Sequence, residues 1–351
     1  MTGAPAAITT PPPAMLEFLR RSGLITDESA ARWTPLTGGV SSDLWRVDVP
    51  GQTLCVKAAL PTLRVADAWH APVDRNAVEV AWLRFAAEHV PGVAPAILAD
   101  DPEAFLFAME FLDPVDHPVW KAELLAGRVV ATTAAAVGDV VGRLAAASAS
   151  ADRRDAVARR FATDDNFHRL RIEPYLLATA RRRPEVADRL HELADRTQSS
   201  RLALVHGDVS PKNILLGPRG PVLLDAECAW WGDPAFDVAF CLNHLLLKAL
   251  VADQYRRLER ARRLSTAAGA WWSSYLVHVS WEPVDGLRTR VADLLPALLL
   301  ARIDGTSPVE YVTAEDDRTL VREVARELLS TVDPDRGPEE VFTVWQDALA
   351  T

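Results

Sequence analysis

Between residues 204 and 237 the chain reads LVHGDVSPKNILLGPRGPVLLDAECAWWGDPAFD, and no other stretch restricts its possible folds so closely. Two short apolar runs flank a polar loop: residues 202–205 lead in, residues 214–216 lead out, and a Gly-Pro-Arg-Gly turn then feeds residues 222–224. Apolar runs bounded by glycine and proline signals read as strands joined by turns. The stretch therefore predicts a strand, a polar loop and a hairpin. Asp208 stands where the loop leaves the first strand and can aim a carboxylate outward. Asn213 and Asp225, the latter at the end of the following strand, can converge on one metal ion. Carboxylate and amide oxygens are the donors a hard cation such as Mg²⁺ takes. Any one of His206, Asp208 and Asn213 alone would read as a turn-capping residue; their joint spacing with Asp225 reads as a site.

Upstream, residues 14–21 form a short amphipathic segment, and Thr26 to Ser29 resembles a helix cap. From Trp33 the pattern changes to strand, glycine loop, strand, turn and strand. The loop holds Gly38, Gly39, Ser41 and Ser42, and glycine allows backbone N–H groups close to phosphate because it has no Cβ. The strand that follows the turn ends at Lys57. A buried lysine needs an acidic partner, and the helix expected over residues 75–89 offers Glu79 ahead of Val80, Trp82 and Leu83, with Glu88 a rival near its end. Residues 95–100 and 104–111 read as two further strands, the second running into Glu110, Phe111 and Leu112.

Taken together, these elements resemble the protein-kinase-like fold, in which a catalytic-loop Asp is followed by a metal-binding Asn and a second metal-binding Asp. His206-Gly207-Asp208, Asp225-Ala226-Glu227 and the run from Gly232 to Asp237 are similar to the aminoglycoside phosphotransferase and small-molecule kinase branch, which also holds choline kinases and methylthioribose kinases. The resemblance implies an α+β, bilobal fold with a small antiparallel-sheet lobe and a larger helical lobe. It implies ATP and Mg²⁺ as cofactors. Asp208 would orient the acceptor hydroxyl and take its proton late, Asn213 and Asp225 would hold the metal with help from Glu227, and Lys57 paired with Glu79 would meet the α- and β-phosphates. Backbone groups at Glu110, Phe111 and Leu112 would meet adenine. No activation-loop segment separates Asp225 from Gly232, which sets the chain apart from protein kinases. A non-catalytic nucleotide-binding module is the alternative of another class; it would have no need of Asp208.

With 351 residues the chain is long enough for two lobes, expected at 14–112 and 113–351 behind a disordered tail at 1–13. That tail ends in three prolines and lacks the basic and apolar regions of a signal peptide. No run approaches the length of a membrane span. Three cysteines with no paired spacing fit a reducing cytoplasm. A net charge of −10 disfavours a nucleic-acid polymer as partner, leaving a nucleotide and a small-molecule acceptor.

Residues 130–150 predict the central helix of the large lobe, with Gly138 and Gly142 marking a close helix contact. Residues 151–201 form a charged helical region carrying Arg169 and Arg171, either a wall of the acceptor cleft or a solvated hairpin. Trp230 lies beside the metal-binding segment as a candidate acceptor contact. An apolar helix over 291–303 ends in Arg302, which either pairs with Asp304 or another carboxylate or reaches a substrate hydroxyl. These arginines would repel a polycation. The acceptor expected is therefore a small neutral hydroxylated compound, such as a sugar like methylthioribose, with an aminoglycoside or other antibiotic as the alternative.

Overall fold

The computed structural model describes residues 10–36, 42–60, 74–251 and 254–350. Gly38, Gly39, Ser41, residues 61–73 and residues 1–9 of the expected tail lie outside these residues. Pro13 already belongs to the first helix, α1 (Pro13–Arg21).

Strands β1 (Arg32–Leu36), β2 (Ser42–Val49), β3 (Gln52–Ala59), β4 (Ile97–Asp101) and β5 (Leu106–Glu110) form an antiparallel sheet in the order β1-β2-β3-β5-β4. Successive side chains of a strand point to opposite faces. Trp45 and Val47 pair with Val56 and Leu54, and Ala108 and Leu106 continue that face. It packs against Met15, Phe18 and Leu19 of α1. Cys55 and Lys57 accordingly lie on the opposite face, toward helix α2 (Arg75–His89). A register slip of one residue would move Lys57 to the α1 side, so the apolar alternation of β3 is what aims this lysine.

Helix α2 carries Val80, Trp82, Leu83 and Ala86 into the core of the helical body, joining sheet and body. That body contains α3 (Trp120–Leu125), α4 (Ala131–Ala149), α5 (Arg154–Arg160), α6 (Asp164–Phe167), a π-helical segment (His168–Leu177), α7 (Ala178–Arg182) and α8 (Ala187–Ser199). It continues with α9 (Ala235–Leu247), α10 (Gln254–Leu276), α11 (Val284–Asp304), α12 (Glu315–Ser330) and α13 (Pro338–Ala348). The fold is the expected α+β one, a small sheet set on a larger helical body. Helices α4 and α10 touch closely because Gly138 has no side chain; a Cβ there would lie 2.1 Å from the Trp271 carbonyl oxygen.

Between α8 and α9 lie β6 (Ala203–Val205), β7 (Ile214–Gly217), β8 (Gly220–Leu223) and β9 (Trp230–Gly232). The β7 and β8 strands form the expected hairpin, with Ile214 opposite Leu223. Strand β9, which the sequence pattern does not reveal, pairs antiparallel with β6, Trp230 opposite Val205. The loop bearing Asp208 is thereby clamped at the end of β6, and Asp225 at the end of β8.

Candidate active site

Lys57 reaches across from the sheet into two carboxylates. Its Nζ lies 2.8 Å from Glu79 Oε1 and 2.7 Å from Asp225 Oδ1, and its side chain is almost fully buried. Burial alone would push the ammonium pKa down; Asp225 and Glu79 outweigh it and hold it above the ordinary lysine range. Asp225 adopts a left-handed backbone with φ of 67°, a conformation uncommon outside glycine that Asp tolerates better than most. Burial opposes its ionisation, but Lys57 and Lys212 keep its carboxyl below the usual range.

The Asp208 loop is built around a second carboxylate. Asp237, in the first turn of α9, accepts the backbone N–H groups of His206 at 2.7 Å and Gly207 at 2.8 Å. Gly207 has φ of 79° and passes so close to Cys228 that a Cβ would lie 2.6 Å from its carbonyl oxygen. Both conditions call for glycine. The His206 ring packs edge-on against Trp82 of α2 at 4.6 Å, and its Nδ1 accepts the Asp208 N–H at 3.1 Å. Burial pushes the imidazole pKa down to about 4, so His206 is neutral and serves as an acceptor.

Asp208 itself is 4% exposed. Its Oδ2 meets Arg171 Nη2 at 2.9 Å and Lys212 Nζ at 3.1 Å, while Oδ1 has no hydrogen-bond partner among the described residues. Burial would raise its pKa; Lys212 and Arg171 more than offset this and hold the carboxyl well below the ordinary range. Asn213 donates from Nδ2 to the Asp208 carbonyl at 3.2 Å, leaving its amide oxygen out of that bond. Its own carbonyl accepts the N–H of Leu224 at 2.9 Å, which ties the Asn213 turn to the residue before Asp225.

Arg171 is positioned by the π-helical segment, which also carries Pro174 and Tyr175. It donates from Nε to the Gly207 carbonyl, and its guanidinium carbon lies 5.9 Å from the Tyr175 ring centre. One arginine thus holds both the Asp208 side chain and the backbone beside it.

Other expected residues are placed differently. Glu227, expected near a metal, pairs through Oε2 with Arg75 Nε at 3.0 Å, because a fully buried guanidinium requires a carboxylate. Trp230, expected at the acceptor, is 1% exposed, stacked on Phe167 at 4.1 Å and covered by Arg201 at 4.6 Å. Its place on β9 turns it into the core. Arg169 is exposed and has no contact with Asp208 among the described residues. Arg302 is buried behind Tyr175, donating to its hydroxyl at 3.2 Å and to Ser307 Oγ at 3.1 Å. Asp304 instead pairs with Arg183 at 2.8 Å and Arg322 at 2.9 Å. Ser42 is buried with its hydroxyl unpartnered, Glu110 closes β5 by donating its N–H to Ala96 at 2.9 Å, and Phe111 lies 4.7 Å beneath the Arg46 guanidinium. Leu112 follows, half-buried.

The model of the phosphotransferase enzyme family matches residues 32–275, from the first strand of the sheet to the end of α10. The chain belongs to the phosphotransferase enzyme family. Among curated relatives it is similar to methylthioribose kinase of Pectobacterium atrosepticum, 27% identical over 247 residues, a match covering 62% of this chain and 60% of that protein. Methylthioribose kinase of Yersinia pseudotuberculosis is 25% identical over 287 residues, covering 73% of this chain and 70% of the relative. The macrolide 2′-phosphotransferase structure from Brachybacterium faecium shares the fold with a TM-score of 0.51 at 19% identity, covering 91% of this chain and 99% of that one.

Within this member of the family, sequence reasoning left several buried groups without a role. Asp237 was legible only as the end of the Gly232 to Asp237 run, and its two backbone acceptances depend on β6 and α9 meeting. Arg75 and Tyr175 carry no local signal, since an arginine in a first helical turn and a tyrosine after proline are ordinary surface residues until the chain folds over them.

Proposed function

We propose that this chain moves the γ-phosphoryl group of ATP to a hydroxyl of a small, sugar-like molecule that is not a polycation. The observation that carries this reading is the pose of Asp208: one oxygen fixed by two cations, the other buried and free to accept from an acceptor hydroxyl. An ionised carboxylate aligned on a hydroxyl suffices for a loose phosphoryl-transfer transition state, which asks for little base strength. A module that only bound nucleotide would gain nothing from it.

ATP with Mg²⁺ is the cofactor pair of the family. The residues present suit it: Asn213 and Asp225 offer amide and carboxylate oxygens, the donor types of a hard cation, and Lys57 offers a buried ammonium to phosphate. Bound there, the ion would neutralise charge on the transferring phosphate. Glu110, Phe111 and Leu112 lie where β5 leaves the sheet and would face the base. We place the nucleotide between an N-terminal lobe at 14–112 and a C-terminal lobe at 113–351. We also assign the protein to the cytoplasm, where ATP is available and where the buried free thiols Cys55, Cys228 and Cys241 stay reduced. No described helix is long and apolar enough to cross a membrane.

The acceptor class follows from charge. Arg171 and Lys212 both meet Asp208 Oδ2, and like charges facing a cationic ligand cost affinity. ATP consumption with sugars, sugar acids, amino alcohols and kanamycin-like compounds tests the proposal. Mg²⁺-dependent turnover on a sugar-like acceptor is expected; efficient phosphorylation of kanamycin, with none of any sugar, would overturn it.

A further inference from the structure

Behind Asp208 runs a series of buried polar side chains that phosphoryl transfer itself does not use. The guanidinium of Arg171 lies 5.8 Å from the Phe240 ring centre, and the His244 ring stands edge-on to Phe240 at 5.3 Å. One turn further along the chain is Lys248, 1% exposed, whose Nζ donates to the His244 carbonyl at 3.1 Å and to the Tyr311 hydroxyl at 3.4 Å. Arg302, on α11, donates to Tyr175 and Ser307 and lies 5.6 Å from the centre of the Tyr175 ring, which stands edge-on to the same Phe240 at 5.4 Å. Helix α3, bearing Lys121, packs against both the Pro211–Asn213 turn and the Lys248–Val251 turn.

The charges in this region do not balance internally. The hydrogen bonds of Lys248 go to neutral oxygens, as do those of Arg302, whose Nε has no partner. His244 is 6% exposed, and its ring nitrogens make no hydrogen bond among the described residues. The nearby carboxylates are committed: Asp208 to Arg171 and Lys212, Glu310 to Lys121, Asp304 to Arg183 and Arg322. A buried cation without an anion is costly, and the usual remedy is a paired oxyanion. Burial, with Lys121 and Arg302 adding to it, pushes the Lys248 ammonium down to about 7. Burial together with Arg302 and Lys248 also keeps the His244 ring neutral. An arriving anion would reverse the penalty on Lys248 and accept from it.

We propose that Lys248, His244 and Arg302 form an anion subsite, so that the molecule phosphorylated at Asp208 carries a carboxylate or phosphate group as well as its hydroxyl. This rests on the function proposed above and narrows it: the acceptor is an acidic sugar derivative rather than a neutral sugar. Lysine and arginine supply charge, and the neutral imidazole supplies either a donor or an acceptor according to its tautomer.

Calorimetry on the full chain with D-ribonate, D-ribose 5-phosphate and D-ribose tests the subsite directly. A hydrogen bond to a charged group is worth enough to predict at least one anionic probe binding about tenfold more tightly than ribose. A preference for ribonate identifies a carboxylate, and a preference for ribose 5-phosphate identifies a phosphate. Lys248→Met should bring the preferred anion to within about twofold of ribose while Mg²⁺-ADP affinity stays within about twofold. If that variant does not fold, His244→Leu, which breaks no hydrogen bond, carries the same comparison. Equal affinity for all three probes, no binding of either anion, or a preference that survives the substitution overturns the subsite. Asp208-dependent turnover on neutral ribose with no anion preference would overturn it while leaving the phosphotransferase function intact; turnover that did not depend on Asp208 would instead count against that function.

Discussion

Asp208 gives its Oδ2 to Arg171 at 2.9 Å, and Arg171 also donates to the carbonyl of Gly207, one residue earlier. A single guanidinium therefore sets both the side chain and the backbone of the Asp208 loop, leaving Asp208 Oδ1 free. The arrangement fixes Oδ2 through Arg171 and Lys212 and leaves one defined oxygen for the proton acceptance proposed above.

Asp208→Asn should lower turnover by about 10²-fold or more, the usual loss for a general base, because the amide is a poor proton acceptor. Mg²⁺-ATP affinity should hardly change, since the free oxygen faces the acceptor. Single-turnover kinetics with calorimetric ATP binding checks both halves. Retained turnover would remove Asp208 from this role.

Asp225 and Glu227, two residues apart, should behave oppositely. Asp225→Ala should weaken Mg²⁺-nucleotide binding along with turnover, because it removes both an oxygen donor and the 2.7 Å partner of Lys57. Glu227→Ala should leave Mg²⁺ dependence within about twofold and instead cost about 2 kcal/mol of stability, the usual worth of a hydrogen bond to a charged group, here the 3.0 Å bond from buried Arg75. Mg²⁺ titration and urea unfolding of the two variants distinguish the roles. If Glu227→Ala lost Mg²⁺ affinity at unchanged stability, Glu227 would be the metal ligand.

His206 should make the fold acid-sensitive. Burial lowers its pKa from 6.5 to about 4, so between those values the unfolded chain binds the proton and the folded chain does not. Stability then falls as pH falls through this window, by about 3 kcal/mol at 1.36 kcal/mol per pH unit, and is unaffected by this group above pH 6.5. Unfolding of His206→Gln across pH 4 to 7 should show a shallower decline than the parent chain. Parallel slopes would mean that His206 is protonated in the folded protein.

Much of the fold was legible because its signals are local. Alternation in residues 44–57 places Lys57 and Leu54 on opposite faces whatever else the chain does, and the Gly-Pro-Arg-Gly turn commits residues 214–224 to a hairpin. Glycine at 138 anticipates the α4 and α10 contact for the same reason: only a missing side chain permits it. Helices α12 and α13 have amphipathic sequences yet no motif, so nothing in the pattern calls attention to them.

The candidate site divides along the same line. Residue type and spacing along the chain singled out Asp208, Asn213 and Asp225 as candidates for one phosphotransfer site, because a short loop and a hairpin leave these side chains few other places to go, and Lys57 joins them through its bond to Asp225. Which charges partner which was decided only in three dimensions. Glu227 met Arg75, Trp230 turned inward on β9, Arg169 stayed in solvent while Arg171 found Asp208, and Lys248 was buried without an anion. Each outcome depends on desolvation and on contacts between segments far apart in sequence, and a buried charge takes whichever partner packing brings within reach, which no local pattern records.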